Sequence, residues 1–381
     1  TDYNSLESEA KLILNNDNFS FTTGFQSFEN LTLASSDRYQ FILPYYNFEK
    51  EILTSYNFAR RANKVFSEIV SVEEYDLIKN ENTVIIEQDE LTVFYLNRNI
   101  DLSENDIIFT NTYFVKDLFN YLKNLDNLKN LKLITHQSDQ VINKSLHSKK
   151  PKCISQWYGI NINHVDENLI PIPIGLSNNW SPKNLQLNHF ANLEDYQEKL
   201  DKIYVNFEVN TNYFFRKKVL KSLKKNNLAH IENANIGLSE YLKNLNKFKY
   251  TICPFGNGPD THRLWESIYA GSIPIVFKHK TYKPLKGLGY IEIESIKELE
   301  AESLKDKLSD IQKRDYDKLN VNWWINKINE KNIESNETLQ KVISLDSVND
   351  LVNAYKNLIK KQQRKKKFKT ITRKLSSKLG N

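Results

Sequence analysis

Cysteine, glycine and proline are scarce in this chain of 381 residues, and each scarcity narrows the class of protein. Its two cysteines, Cys153 and Cys253, stand far apart and outside any Cys-x-x-Cys or histidine-rich motif. A disulfide scaffold and a zinc site are therefore not expected, and a reducing cytoplasm suits the chain best. Only 10 glycines and 9 prolines, beside 20 tyrosines and 20 phenylalanines, exclude collagen-like and low-complexity sequence.

Long hydrophobic runs are also missing. No stretch of about eighteen uncharged apolar residues occurs, and Thr1 to Ala10 contain neither the basic nor the apolar part of a signal peptide. We therefore expect no membrane-spanning segment. With 40% hydrophobic residues, the chain has enough apolar material for two cores and is too long for one compact domain.

Positive charge is concentrated at the end of the sequence. The whole chain has 53 Lys and Arg against 47 Asp and Glu, whereas residues 359–381 contain eight Lys, two Arg and no acid. The body therefore has an excess of acidic residues. In the tail, Phe368, Ile371, Leu375 and Leu379 follow helical spacing among the cations, a pattern that suits an anionic membrane surface. A solvated C-terminus is the alternative, and a nucleic-acid partner is not expected, since no binding motif accompanies the tail.

Strand-like and helix-like patterns alternate along the first half of the chain. This alternation predicts a parallel sheet with crossover helices. The predicted elements are a strand near Tyr39–Leu43, a helix at Phe48–Phe66, strands at Thr83–Ile86, Leu91–Leu96 and Asp106–Phe109, a helix at Phe114–Leu125 and a strand at Leu131–Thr135.

A loop-rich stretch from Ser138 to about Asn188 follows. It contains Ile170-Pro-Ile-Pro-Ile-Gly-Leu176, whose two prolines predict an edge segment or an interdomain crossing, because proline cannot donate to a central strand.

A second alternating series begins after this crossing. Its predicted elements are helices at Leu193–Leu200, Tyr213–Lys225, Leu238–Leu245 and Thr261–Ala270, with strands at Lys202–Phe207, Phe248–Cys253 and Ile273–Phe277. The two series predict two Rossmann-like domains that face each other across a cleft, residues 1–188 and 189–345. Residues 346–381 are expected to form a helical C-terminal extension, and late helices could pack back onto the first domain.

The residues that indicate a ligand-binding site are concentrated between Tyr250 and Val276. A strand ends at Cys253, two glycines follow in a turn, Asp260 or Thr261 is the N-cap of a helix, and Gly271 ends that helix. The positive end of a helix dipole and its unpaired N–H groups attract anions at such a position.

Two cations and one acid occupy the start of the predicted helix. His262 and Arg263 are positive side chains at the positive end of the helix dipole, so an anionic partner is expected to compensate them. Glu266, one turn later, is placed to accept hydrogen bonds from a ribose. The inferred ligand is a nucleoside diphosphate. A structural interpretation stays open, in which Asp260 only caps the helix and Arg263 only pairs with Glu266.

These residues also resemble a known family. Phe255–Val276 resembles the donor-site segment of exostosin-like glycosyltransferases, the family-47-like group, in which a Gly-Asn-Gly turn leads into Asp-Thr-His-Arg and Trp-Glu. Leu133–Asp139, Ile170–Asn178 and Tyr204–Arg216 are similar to three upstream family segments, in the expected order. Phe255 stands where the family has an arginine, so one phosphate-directed cation is missing or replaced.

The resemblance implies a glycosyltransferase of the GT-B fold, with two Rossmann-like domains and no obligatory metal. Asn257 and Gly258 would present backbone to the diphosphate, His262 and Arg263 would neutralise it, and Glu266 would hold the ribose. The donor-binding residues that this implies are Asn206, Asn212, Arg216, Asn257, Gly258, Asp260, Thr261, His262, Arg263 and Glu266.

The acceptor base is expected after the strand that ends at Thr135. By analogy with the family the reaction inverts the anomeric centre, so a base must remove the proton of the acceptor hydroxyl. His136 could do this with Asp139 orienting it, or Asp139 could act itself; alternatively, the Ser-Asp pair only caps a helix.

The predicted activity is sugar transfer from a nucleotide sugar to a glycan or lipid-linked glycan in surface polysaccharide synthesis. Catalysis is expected in the cytoplasm, and at the inner membrane face if the basic tail docks there. Two alternatives remain open: a fucosyltransferase-like GT-B enzyme, and a non-catalytic nucleotide-binding or regulatory protein.

Overall fold

The computed structural model describes residues 51–125, 127–190, 198–309, 316–334, 340–345 and 348–378. Within these ranges the chain is a mixed α/β protein whose two main sheets are rich in parallel strands. The strand predicted at Tyr39–Leu43 lies outside the described residues. The helix predicted at Leu193–Leu200 lies mostly outside them, and its last residue begins a strand.

The first sheet is built from residues 64–171. Its strands are β1 (Lys64–Ser71), β2 (Thr83–Gln88), β3 (Thr92–Asn97), β5 (Ile107–Asn111), β6 (Leu131–His136), β7 (Ile154–Gly159) and β8 (Leu169–Pro171), while β4 (Asn99–Leu102) lies outside it. The spatial order is β2-β3-β1-β5-β6-β7-β8. Neighbouring strands from β1 to β8 run parallel, and β3 is antiparallel to both of its neighbours.

The second sheet is parallel throughout. Its strands are β9 (Leu200–Val205), β10 (Ala229–Ile231), β11 (Phe248–Cys253), β12 (Ile273–Phe277) and β13 (Ile291–Ile293), in the order β10-β9-β11-β12-β13. A late strand, β14 (Lys341–Ser344), returns to the first half of the chain and pairs antiparallel with β4.

Helices cover the sheets and the end of the chain. They are α1 (Ser55–Arg61), α2 (Val72–Ile78), α3 (Val115–Leu122), α4 (Lys144–His147), α5 (Leu187–Phe190), α6 (Tyr213–Leu223), α7 (Leu238–Lys247), α8 (His262–Tyr269), α9 (Ala301–Ser309), α10 (Val321–Asn329) and α11 (Val348–Lys378). Among the described helices, none combines the length and the apolar composition needed to cross a membrane.

The largest apolar core is shared by the two sheets. It contains buried side chains from the first sheet, such as Phe109 and Ile134, together with Tyr204 and Val276 from the second. A separate cluster covers the other face of the first sheet, and a third lies between the second sheet and α6 and α9. The loops after β6 and β11 consequently meet, and this meeting point positions the candidate site.

Two predictions of secondary structure are wrong. The helix predicted over Phe48–Phe66 ends at Arg61, and the next residues form β1. Val65, Ile69 and Val70 favour a strand, and pairing on both sides with β3 and β5 outweighs the local helical spacing. The stretch predicted as loop from Ser138 to Asn188 contains β7, whose burial on both faces hides any alternating pattern.

Several other predictions are confirmed. β11 and β12 have the predicted bounds, and the proline-containing segment reaches the first sheet only at its edge, as β8. The late part of the chain also packs back onto the first sheet, because Tyr355 of α11 is buried among Phe94 and Phe114.

Candidate functional site

The predicted donor turn connects β11 to α8. Thr261 occupies the N-cap position with extended backbone and no side-chain capping bond. Gly271 follows the helix with a φ of 74°, in the left-handed region, so its predicted role in ending α8 is confirmed. Asp260, the alternative cap, has a different place: its carboxylate accepts from the indole Nε1 of Trp265 at 3.0 Å and from the amide of Ile174 at 2.8 Å.

Asp260 therefore joins α8 to the proline-containing crossing. It is 3% exposed, and burial raises its pKa to about 7, although hydrogen bonds from Ile174 and Trp265 act in the opposite direction. The crossing makes a second contact with the helix, since the carbonyl of Gly175 lies 2.8 Å from Nδ1 of His262. These bonds fix the start of α8 against the first sheet.

The glycine turn packs directly on loops of the first sheet. A Cβ built on Gly258 would lie 1.6 Å from Oδ1 of Asn161, so only glycine fits while Asn161 stays in place. Asn161 in turn donates to the carbonyl of Ser138 at 3.0 Å. Beside it, Nδ2 of Asn257 donates to Oδ2 of Asp139 at 2.8 Å. Three residues predicted from distant parts of the sequence, Asp139, Asn257 and Gly258, thus meet in the fold.

A cavity of about 340 Å³ lies at this meeting point. His136 and Asp139 from the first half of the chain line it together with His262 from α8. A larger cavity of about 580 Å³ shares the segment from Leu176 to Trp180 and extends along α1, where Tyr56 and Arg60 contribute to its lining. The two cavities are therefore neighbours, and the smaller one is bordered by residues from both the predicted acceptor side and the predicted donor side.

His136 is held by the backbone at both ring nitrogens. Its Nδ1 accepts from the amide of Gln137 at 2.9 Å, which places the proton on Nε2, and Nε2 donates to the carbonyl of Pro173 at 3.2 Å. Burial lowers the pKa of His136 to about 3. A neutral imidazole without an accessible lone pair supports the cavity wall, and in this conformation it does not abstract a proton.

Asp139 and His262 keep accessible chemistry. Asp139 is exposed and has one carboxylate oxygen bonded to Asn257. Because a carbonyl only accepts, Nδ1 of His262 carries the proton toward Gly175, and Nε2 is its basic nitrogen. Of the two residues predicted as catalytic, Asp139 thus fits the role of base by geometry.

The two predicted arginines have different environments. Arg216 is 6% exposed, and its guanidinium donates to the carbonyls of Phe255 at 2.8 Å, Glu208 at 2.7 Å and Pro254 at 3.3 Å. Arg216 therefore shapes the donor turn. Arg263, by contrast, has no side-chain hydrogen bond within the described chain; its Nε is buried and its guanidinium lies over the ring of Tyr241 at 5.7 Å.

The two guanidinium groups also influence each other. Burial, together with the positive charge of Arg263, lowers the pKa of Arg216 to about 10. Like charges held near one another in a partly buried region favour an anionic ligand. This pair lies beside the amino end of α8, where the helix dipole acts in the same direction.

Three other predicted donor residues are engaged within the fold. Glu266 is 5% exposed and accepts from the hydroxyl of Tyr241 at 2.9 Å. Asn206 is 4% exposed and donates to the carbonyl of Asn233 at 2.7 Å. Asn212 precedes α6 with a φ of 50° and makes no side-chain capping bond. A ribose contact by Glu266 requires Tyr241 to release it.

Comparison with protein-family models and with curated protein sequences finds no match to this chain. The exostosin-like resemblance therefore stays a prediction.

Sequence reasoning missed the side chains that fix the loop after β6. Gln137 has a φ of 60°, accepts from the amide of Ile69 at 2.8 Å and donates to its carbonyl at 2.9 Å. It also donates to Ser55, which accepts a further bond from Asn178. No motif marks these residues, because their partners are separated by 68 or more positions in the chain.

Proposed function

We propose that this protein is a GT-B glycosyltransferase that moves a sugar from a nucleotide sugar to a glycan or lipid-linked glycan. The observation that carries the proposal is the position of Asp139, an accessible carboxylate, directly against the glycine turn that leads into α8. An anion-attracting helix start and a candidate base then border the same cavity. Transfer without an obligatory metal, and inversion of the anomeric centre, belong to the same proposal.

The donor diphosphate binds at the amino end of α8 in this proposal. The unpaired N–H groups of the first helical turn, the imidazole of His262 and the guanidinium of Arg263 supply positive potential. Arg263 is the arginine of the turn whose buried Nε has no hydrogen-bond partner among the described residues, although the charge of Glu266 acts on it. Arg216 acts indirectly, by holding the turn through backbone carbonyls.

The transfer step is an in-line displacement. The acceptor hydroxyl oxygen attacks the anomeric carbon, its proton passes to a carboxylate oxygen of Asp139, and the bond from that carbon to the diphosphate oxygen breaks. The electron pair leaves with the nucleoside diphosphate, whose charge Arg263 stabilises. The acceptor occupies the 580 Å³ cavity, where Tyr56 and Trp180 offer aromatic faces for a sugar ring.

We also propose that the tail docks on an anionic membrane. The ten cations of residues 359–381 supply the attraction, on the order of 1 kcal/mol for each residue near the surface. Helix α11 continues through Lys378, which gives the basic segment the helical backbone that the spacing of its apolar residues requires.

A thermal-shift panel of UDP, GDP, CDP, ADP and dTDP, with Mg²⁺ or with EDTA, tests the donor site. One nucleotide at a hundred times its dissociation constant stabilises the fold by about 2.7 kcal/mol. We expect one base to raise the Tm with and without chelator. Lys221→Gln removes an exposed cation from α6 and is the control for a nonspecific effect of positive charge. It should show the same increase in Tm with nucleotide as the wild type. Absence of a shift with every nucleotide contradicts the proposal and favours a packing role for α8.

A non-catalytic nucleotide-binding protein is the second candidate, and the occupied nitrogens of His136 favour it. The nucleotide that the panel identifies determines which nucleotide sugars are assayed for donor hydrolysis and transfer. Asp139→Asn separates the candidates. An enzyme loses turnover and keeps its thermal shift with nucleotide, whereas a binding protein shows no turnover in either form.

A further inference from the structure

Two histidines and an aspartate meet on the first sheet, outside both cavities. His147 is the last residue of α4, and His164 and Asp166 lie in the connection between β7 and β8. His164 and Asp166 are 17 or more positions from His147 in sequence, and Cys153, which lies between them in the chain, is not part of the cluster. The sequence consequently predicts no metal site here, and the cluster exists only because the fold brings the two segments together.

The separations of the ligand atoms suit a transition-metal ion. Nδ1 of His147 lies 3.8 Å from Oδ2 of Asp166, and Nε2 of His164 lies 4.0 Å from the same oxygen. One ligand atom from each residue falls within 4.8 Å of the other two. A tetrahedral zinc ion with bonds of about 2.1 Å needs ligand atoms about 3.4 Å apart, so small side-chain rotations complete the site.

The protein alone does not satisfy the imidazole of His147. Its side chain is 11% exposed, and its Nε2 is buried without a hydrogen-bond partner among the described residues. The ring packs 6.1 Å from the ring of Trp157 and 5.5 Å from that of His164. These ring contacts hold the imidazole with Nδ1 directed toward Asp166, which leaves Nδ1 available to a metal ion.

The cluster offers one carboxylate to an added ion, while the positive charge of Lys150 acts on His147 and Asp166. The salt-bridge partners of Asp166 in the described chain are the two imidazoles. Lys150 follows α4 closely, yet its ammonium donates to the backbone carbonyl of Ile154. One carboxylate and two imidazoles therefore remain as a ligand set for an added ion.

We propose that His147, His164 and Asp166 bind one Zn²⁺-like ion, with a water molecule as the fourth ligand. Imidazole nitrogens favour zinc, cobalt, nickel and copper, whereas Mg²⁺ and Ca²⁺ require sets composed of oxygen ligands. The three ligands line neither cavity, so the ion is assigned no step in sugar transfer. This proposal is independent of the glycosyltransferase assignment.

The ion would hold α4 against the connection that also carries Asn161. That connection is already tied to the loop before α4, since the amide of Ile142 donates to the carbonyl of Asn161 and the amide of Asn163 to the carbonyl of Ile142, both at 3.1 Å. Asn161 in turn contacts Gly258. Metal binding therefore stabilises the surface on which the glycine turn rests.

Equilibrium dialysis of the tag-free full chain against Zn²⁺, followed by metal analysis, tests the site. We expect one equivalent in the wild type, an increase in Tm with Zn²⁺, and the visible absorption of tetrahedral Co²⁺ when cobalt replaces zinc. His164→Gln and Asp166→Asn change partly exposed side chains, at 23% and 34% exposure, and should lose all three signals. His230→Gln, at an exposed position on β10, is the matched control and should keep them.

Folding of the variants is checked by their Tm in EDTA, which should equal that of the wild type in EDTA. Zinc retained equally by His164→Gln and the wild type overturns the proposal. Absence of bound zinc in the wild type and in His230→Gln overturns it as well.

Discussion

Arg216 and Arg263 carry the same charge at the same turn, and their surroundings give them different functions. Three backbone carbonyls surround the guanidinium of Arg216, whereas the guanidinium of Arg263 faces the ring of Tyr241. Sequence alone assigns both residues to the phosphate, because side-chain type does not reveal which donors are already occupied. Variants of the two arginines should therefore differ in stability and in nucleotide binding.

Arg216→Gln should destabilise the fold, and Arg263→Gln should weaken nucleotide binding. The first change removes charged hydrogen bonds to buried carbonyls, at a cost of about 2 kcal/mol or more. The second removes a guanidinium whose Nε has no hydrogen-bond partner among the described residues and whose charge interacts with Glu266 at longer range, so the Tm without nucleotide should fall less. Urea unfolding and thermal shift with the identified nucleotide measure the two effects. Equal destabilisation by both variants would contradict a ligand-binding role for Arg263.

Two buried titratable residues should give opposing contributions to the pH dependence of stability. The pKa of Asp260 rises from 3.8 to about 7 on folding, so the folded state keeps a proton that the unfolded state loses, and stability falls as pH rises between these values. The pKa of His136 falls from 6.5 to about 3, so the unfolded state binds the extra proton and stability rises with pH in that window.

Single variants separate these contributions. Asp260→Asn should make the free energy of unfolding rise with pH from about 4 to 6.5, by a few kcal/mol at most, because the His136 contribution remains. His136→Gln should make it fall over the same range. Urea titrations at half-unit pH steps measure both profiles, and parallel profiles for the two variants would show that the carboxyl and the imidazole do not titrate as described.

At the scale of elements, the glycine turn and α8 act as one unit because they rest on the first sheet. Gly258 approaches Asn161 too closely for any side chain, and Gly175 combines a φ of 70° with a Cβ position 2.1 Å from the carbonyl oxygen of Leu53. The two glycines differ in the kind of atom that an added side chain would meet. Gly258 meets the end of a side chain, while Gly175 meets backbone.

Gly175→Ala should therefore cost more stability than Gly258→Ala. A backbone collision in the left-handed region costs at least about 1 kcal/mol, whereas Asn161 can rotate away from an alanine at position 258. Rotation of Asn161 breaks its bond to Ser138 and moves the turn, so Gly258→Ala should instead reduce the thermal shift with nucleotide. Gly237→Ala is the control, since no atom lies within 4 Å of its Cβ position. If Gly258→Ala leaves the Tm increase with nucleotide unchanged, the close approach of Gly258 to Asn161 does not position the turn for nucleotide binding.

The elements that sequence predicts well are those whose local pattern agrees with their tertiary environment. β11 and β12 are apolar runs between clear breaks, and both match their predicted bounds. β10 and β13 are strands of three residues, too short for a pattern. The contacts of Gln137 and Asn161 depend on loops from separate parts of the chain, so no local rule predicts them.

On the scale of the whole molecule, the last helix belongs partly to the fold and partly to the surface. Tyr355 is buried, stacks on Phe114 and donates to Glu87 at 3.0 Å. Val352 and Ile359 pack against the same cluster. Among the described side chains of α11, Ile359 is the last that packs against this cluster.

Two truncations test this division. A chain that ends after Ile359 should keep its Tm and its nucleotide shift, and should lose binding to vesicles that contain phosphatidylserine, because all eight Lys and both Arg of the tail are removed. A chain that ends after Leu345 should lose stability, since Phe94 and Phe114 become exposed. Phosphatidylcholine vesicles are the control for both. If the full chain and the chain ending at Ile359 sediment equally with anionic vesicles, the tail does not mediate membrane docking. If the Tm is unchanged in the chain ending at Leu345, Tyr355 does not contribute to the stability of the core.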